Sequence, residues 1–126
     1  LLGRSGPLNR TRAGEGGPLV LEHERFARLQ TETTVAVHAR PPAGASEARL
    51  WIERSYIEDM QVDGIVPEPD RMETGADRLV LVFPLTAGGG DLQVDFHLQP
   101  QRFGPVQGRV GVEGGAELEL HQFVYP

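Results

Sequence analysis

From Leu19 onward, apolar and polar positions alternate with a period of two. Asp91–Gln99 is the clearest stretch. Leu92, Val94, Phe96 and Leu98 share one face, and Asp91, Gln93, Asp95, His97 and Gln99 share the other. That pattern predicts an antiparallel strand with one face buried and one wet. Thr33–Arg40 repeats it, with Val35, Val37 and Ala39 inward and Ala36, His38 and Arg40 outward. So does Glu117–Val124, with Leu118 and Leu120 in and Glu119 and His121 out. Further strands are predicted over Leu19–Phe26, Ala48–Ile52, Met60–Ile65, Leu79–Phe83 and Gly108–Val112. Leu79–Phe83 is apolar at every position, as befits a strand covered on both faces.

Glycine and proline punctuate these runs. Pro41-Pro42-Ala43-Gly44, Pro67-Glu68-Pro69-Asp70, Gly88-Gly89-Gly90, Gly104-Pro105 and Gly114-Gly115 mark turns, and the last reads as a hairpin. Only Ser55–Asp59 or Arg25–Gln30 leaves room for a helical turn. Eight short strands at this spacing predict an all-β fold, an immunoglobulin-like antiparallel β-sandwich of seven to nine strands over residues 19–126. Trp51, on the third strand, falls where a core tryptophan often sits, and Tyr56 and Tyr125 suit polar-tipped core or rim positions. Residues 1–18, with five glycines, two prolines and no period, read as a flexible N-terminal arm or stalk.

Composition narrows the chemistry. In a chain of 126 residues there is no cysteine, which excludes disulfides, thiolate nucleophiles and Cys-type metal sites. There is no lysine either, so Schiff-base chemistry and a P-loop are excluded. Arginine as the only strong base, with Asn9 the lone asparagine, marks the bias of a GC-rich bacterial genome. The net charge of −6 is uneven: Arg4, Arg10 and Arg12 make the arm basic and leave residues 19–126 strongly acidic. That balance argues against non-specific nucleic-acid binding. No window is apolar for long enough to span a membrane. The chain opens Leu1-Leu2-Gly3 without a methionine, which points to a removed signal peptide, anchor or tag upstream.

Candidate chemistry is sparse. His38, His97 and His121 fall on outward faces and would make a three-imidazole metal site if their strands were neighbours. Separate surface histidines are the simpler reading, so no metal and no cofactor is expected. Asp59, Asp63, Asp91 and Asp95 flank turns, where paired carboxylates could do glycosidic work or hold calcium; solvated face charges explain them as well. None of the three serines lies in a nucleophile elbow, no dinucleotide fingerprint is present, and no catalytic residue is assigned. Asn9-Arg10-Thr11 is a formal glycosylation sequon. Two loops stand out. Ile65–Pro69 is held extended by its prolines and stiffens a crossover between sheets or docks a partner. Gln99–Pro105 puts Arg102 and Phe103 where binding functions collect.

The segments Arg4–Thr11, Leu21–Arg28, Ile65–Pro69 and the closing Phe123-Val124-Tyr125-Pro126 resemble small bacterial inner-membrane proteins. These have one N-terminal transmembrane helix followed by an extracytoplasmic β-sandwich. The resemblance implies that residues 1–18 are the stalk outside the membrane. Together these readings predict a non-enzymatic extracytoplasmic interaction module, membrane-anchored through a missing N-terminal segment. It would bind an envelope or membrane protein through Arg102, Phe103, Glu68 and Asp70. An exposed edge strand offers a route to a homodimer. The alternative is a carbohydrate- or metal-binding accessory domain or small hydrolase using the outward His and Asp residues.

Overall fold

The computed structural model describes residues 9–85 and 90–126. Their strands are β1 (Arg10–Ala13), β2 (Leu19–Glu24), β3 (Phe26–Arg28), β4 (Thr33–Ala39), β5 (Glu47–Glu53), β6 (Met60–Val66), β7 (Arg71–Thr74), β8 (Arg78–Pro84), β9 (Leu92–Pro100), β10 (Gly104–Val112) and β11 (Glu117–Tyr125). One short helix, α1 (Arg54–Ile57), follows β5. The strands form two sheets, β1-β2-β4-β9-β6 and β3-β11-β10-β5-β8-β7. Every pairing is antiparallel except β3 with β11. The all-β sandwich expected from the alternation is therefore present. No helix among the described residues is long and apolar enough to cross a membrane.

The eight expected strands form, and their inward phase is the observed core. Leu19, Leu21, Val35, Val37, Val94, Phe96, Leu98 and Leu120 meet Leu50, Ile52, Leu81, Phe83, Val106 and Val110 between the sheets. Each of these side chains leaves water almost completely, at roughly 1.5–3 kcal/mol per large apolar group. Gly114, at φ +76°, makes the β10–β11 hairpin turn, a conformation that costs glycine no Cβ clash.

β8 is covered on both faces. Leu81 and Phe83 enter the main core, while Val80 and Val82 join Trp51 in a second cluster on the outer surface of the six-stranded sheet. Trp51 is thus buried, but outside the central core. It lies over Gly111, where a Cβ would come within 2.6 Å of the indole. Above it, the Arg78 guanidinium stands 4.0 Å from the ring centroid, a cation–π contact.

Three short strands were not legible in the alternation, and they raise the count among the described residues to eleven, from the expected seven to nine. β1 pairs with β2 in the register Arg10↔Glu24 to Ala13↔Leu21, so residues 10–13 of the expected arm are a sheet edge. Across that pair, Glu22 accepts a hydrogen bond from Arg12, and opposite charges on one face hold the strand. Residues 1–8 of the arm lie outside the described residues, as does most of the Gly88-Gly89-Gly90 turn. β3 replaces the helical turn proposed over Arg25–Gln30, because the chain bends at Arg25, crosses to the other sheet and pairs with β11. The helical turn forms at Arg54–Ile57 instead, overlapping the Ser55–Asp59 candidate. β7 is exposed at every position, which leaves no pattern to read. It follows the Val66–Asp70 crossover from β6, the edge of one sheet, to β7, the edge of the other. The crossover reading of that proline segment matches the topology, and the Val66–Pro67 bond is cis.

Candidate functional site

The three exposed phenylalanines gather at one corner of the sandwich. β3 ends the six-stranded sheet, and Phe26 pairs with Phe123 across the parallel β3–β11 ladder. Pro105 of β10 lies on the far side of Phe123. Alternation turns Ala27 and Val124 into the core and leaves Phe26 and Phe123 on the outer face, 52% and 47% exposed. Arg28 is likewise outward, opposite Tyr125. Phe103, 55% exposed, immediately precedes β10 at the same end. Of five phenylalanines, the two others are core residues. A solvent-facing aromatic group of this kind, rimmed by arginine, has the composition enriched in protein interfaces.

Asn9 fastens the corner by hydrogen bonds. Its side-chain amide donates to the Phe26 carbonyl at 3.1 Å and accepts from the Phe26 amide at 2.9 Å. The Asn9 carbonyl accepts from the Arg25 amide at 2.7 Å. One buried side chain thereby imitates a neighbouring strand and closes the outer edge of β3. The sequon at Asn9 is incompatible with this role, since a glycan on that amide could not coexist with the contact.

Behind Asn9 lies a satisfied polar cluster. Glu24 accepts from the Thr33 hydroxyl at 2.6 Å, and its backbone carbonyl accepts from the Gln122 amide at 2.9 Å. Tyr56 of α1, fully buried, donates its hydroxyl to Gln122 at 2.7 Å, and burial raises its pKa well above the usual phenol value. His23 completes the cluster, its ring bonded to the Glu24 carbonyl at 2.9 Å. Burial lowers the His23 pKa, and the charges of Arg10, His121 and Arg25 act in the same direction against that hydrogen bond. The folded imidazole therefore binds its proton less readily than the unfolded one. The stability this confers is present above the ordinary imidazole value of about 6.5 and is lost as pH falls below it. Thermal melts from about pH 7.5 to 5 should show a falling Tm, and His23→Gln should flatten that slope. An unchanged slope in the variant would exclude His23 as its source.

Arg102 and Phe103 belong to this end, but their roles differ. Phe103 is free for contact, whereas the Arg102 guanidinium donates to Asp59 at 3.1 Å and to the Pro105 carbonyl at 3.0 Å. Arg102 is a clamp across the loop more than an outward hand. Glu68 and Asp70 lie elsewhere, on the β6–β7 crossover, where the Asp70 amide bonds to the Val82 carbonyl near the far end of β8. The four expected contact residues thus form two separate groups. Phe26, Phe123, Arg25 and Arg28, which complete the corner, were missed. Their signal was available in the adjacency Arg25-Phe26-x-Arg28, but without the partner β11 it reads as a strand end or a helical turn.

The outward histidines do not converge. His38 and His97 are on the five-stranded sheet and His121 is on the other. His97 pairs with Glu32, and His121 with Glu119. No group of three metal-ligating side chains occurs among the described residues. The aspartates are also separate. Asp59 pairs with Arg102 and Asp91 with Arg40, while Gln93 binds Asp95. Hydrogen bonds from Gln61 and Gln99 hold the Asp63 carboxyl below its usual range. A cleft of about 350 Å³ opens at the opposite end of the sandwich, between Pro41-Pro42 and the β10–β11 hairpin, lined mainly by proline, alanine and leucine carbon.

These features define a two-sheet β-sandwich with an aromatic and basic corner. No family model and no curated protein matches the chain. Among solved structures, its fold is similar to that of a cohesin module from a family 33 glycoside hydrolase of Clostridium perfringens ATCC13124. The match has a TM-score of 0.54 and 11% identity over 84% of this chain and 94% of that one. At that identity the likeness establishes a shared fold.

Proposed function

We propose that this chain is a non-enzymatic, extracytoplasmic protein-interaction module. It is tethered to the inner membrane through an N-terminal segment and binds an envelope or membrane protein at the Phe26–Phe103–Phe123 corner. The observation that carries the reading is the concentration of all three exposed phenylalanines at one hydrogen-bonded corner. Aromatic side chains there lose little conformational freedom on binding, because the sandwich already fixes their backbone. Support for a modular role also comes from the cohesin module of similar fold, which is one part of a glycoside hydrolase. Support for the tether comes from the resemblance to membrane-anchored bacterial sandwiches. Asn9, the first described residue, bonds to Phe26 at the same corner, which supports a tether that would hold the aromatic face near its attachment point.

The test is crosslinking in native membranes with the gene product in full. One dominant envelope partner should be captured and should be lost in the Phe103→Ser/Phe123→Ser variant. Both residues are exposed, so the variant should fold with a stability change within about 0.5 kcal/mol. Retention of every crosslinked partner by that variant would overturn the reading.

A further inference from the structure

The ion pairs single out a few charges. Every arginine among the described residues has an acidic side chain within 4.0 Å except Arg25 and Arg28. Glu68 is the one side-chain carboxylate among them with neither an ion pair nor a hydrogen bond. The unpaired groups have matching surroundings. Arg25 and Arg28 bracket Phe26 beside Phe123. Glu68 follows Val66, which is 56% exposed, and stands between Pro67 and Pro69.

The two places cannot meet within one molecule. The aromatic corner is on the β3 edge of the six-stranded sheet, and the Glu68 loop leads into β7 at the opposite edge. We infer that the Phe26–Phe123–Arg28 corner of one copy receives the Val66–Asp70 loop of a second copy, head to tail. This rests on the reading of the corner as a protein-binding surface and names its partner. Val66 would cover the Phe26–Phe123 shelf, and Glu68 would reach Arg28 or Arg25, where a guanidinium can donate two parallel hydrogen bonds to one carboxylate. The two prolines restrict the loop beforehand, so less entropy is lost on docking.

The contact is heterologous, so it propagates as a row unless the rotation closes into a ring. A five-residue loop covers less than the roughly 800 Å² per partner typical of stable complexes. The association is accordingly weak in solution and gains from confinement on a membrane, where the effective concentration is high.

Sedimentation velocity of the 126-residue chain over rising concentration tests this. Reversible association is expected, weaker at high salt, because exposed charges are screened. Arg25→Glu/Arg28→Glu and Glu68→Arg should each weaken it by roughly tenfold or more. Their equimolar mixture should associate again, since the acidic corner of one variant then faces the basic loop of the other. Unchanged melting temperatures in both variants confirm that each is folded. A monomer at every concentration, or association indifferent to both reversals, would overturn self-docking. If the chain is monomeric while corner substitutions still abolish a crosslinked envelope partner, only the self-docking fails. If corner substitutions abolish neither, the interaction-module reading fails with it.

Discussion

Replacing Tyr56 by alanine is expected to lower the unfolding free energy by about 3–5 kcal/mol, the range for deleting a buried aromatic side chain. For a domain whose whole stability is roughly 5–15 kcal/mol, that is a large share. The Tm should fall by roughly 10–20 °C. The reason is the position of the ring. α1 inserts Tyr56 at the end of the core, fully buried. Its Cβ lies close against Gly108 of β10, where an added Cβ would come within 2.5 Å, and its hydroxyl reaches Gln122 of β11. Tyr56→Phe separates the two contributions. It keeps the ring and leaves the Gln122 oxygen without its donor, at about 1–3 kcal/mol. Urea melts of both variants check this, and equal losses would show that the hydroxyl, not the ring, carries the effect. Gly108→Ala attacks the same contact from the other side and should also destabilise, by about 1–3 kcal/mol.

Replacing Asn9 by alanine should cost about 2–4 kcal/mol, out of proportion to one small polar side chain. Two part-buried backbone groups of Phe26, one donor and one acceptor, lose their partners together, each at up to about 1–3 kcal/mol. The loss should be local before it is global. Amide exchange should accelerate at Arg25 and Phe26 while the β4–β9 ladder stays protected. The freed edge of β3 would also become a template for strand addition, so the variant should aggregate sooner at equal stability. Asn9→Asp tests the pairing, because a carboxylate can accept from the Phe26 amide but cannot donate to its carbonyl. Uniform acceleration of exchange across both sheets would show that Asn9 acts on global stability alone.

The corner and the Glu68 loop owe their properties to different levels of structure. Their residue types are visible in the chain, and Arg102, Phe103, Glu68 and Asp70 stand out there because loops with aromatic, basic or acidic groups between prolines are uncommon. Whether such a group is free depends on neighbours distant in sequence. Arg102 is occupied by Asp59, which lies 43 residues away. Arg28 is unoccupied because β11 offers it Tyr125 and no carboxylate. The clustering of Phe26 with Phe123 comes from a parallel pairing between strands nearly a hundred residues apart, which no local pattern announces.

The alternation alone determined the strands that bury one face, their inward residues, the hairpin at Gly114-Gly115 and the two-layer class. These follow from the period of the β backbone and from the gain on removing apolar area from water, and both are written residue by residue. Composition alone removed thiol and amine chemistry. Tertiary structure decided the rest. It placed β1, β3 and β7, whose short or fully exposed segments carry no period of their own and form because a neighbouring strand satisfies their backbone. It moved Trp51 to the outer cluster, because a strand covered on both faces buries large groups on either side. It scattered the histidines over two sheets, since strand order follows the topology of the whole chain. Among the described residues it also left Arg25, Arg28 and Glu68 without an ion-pair partner, because pairing depends on which side chains the fold brings within about 4 Å.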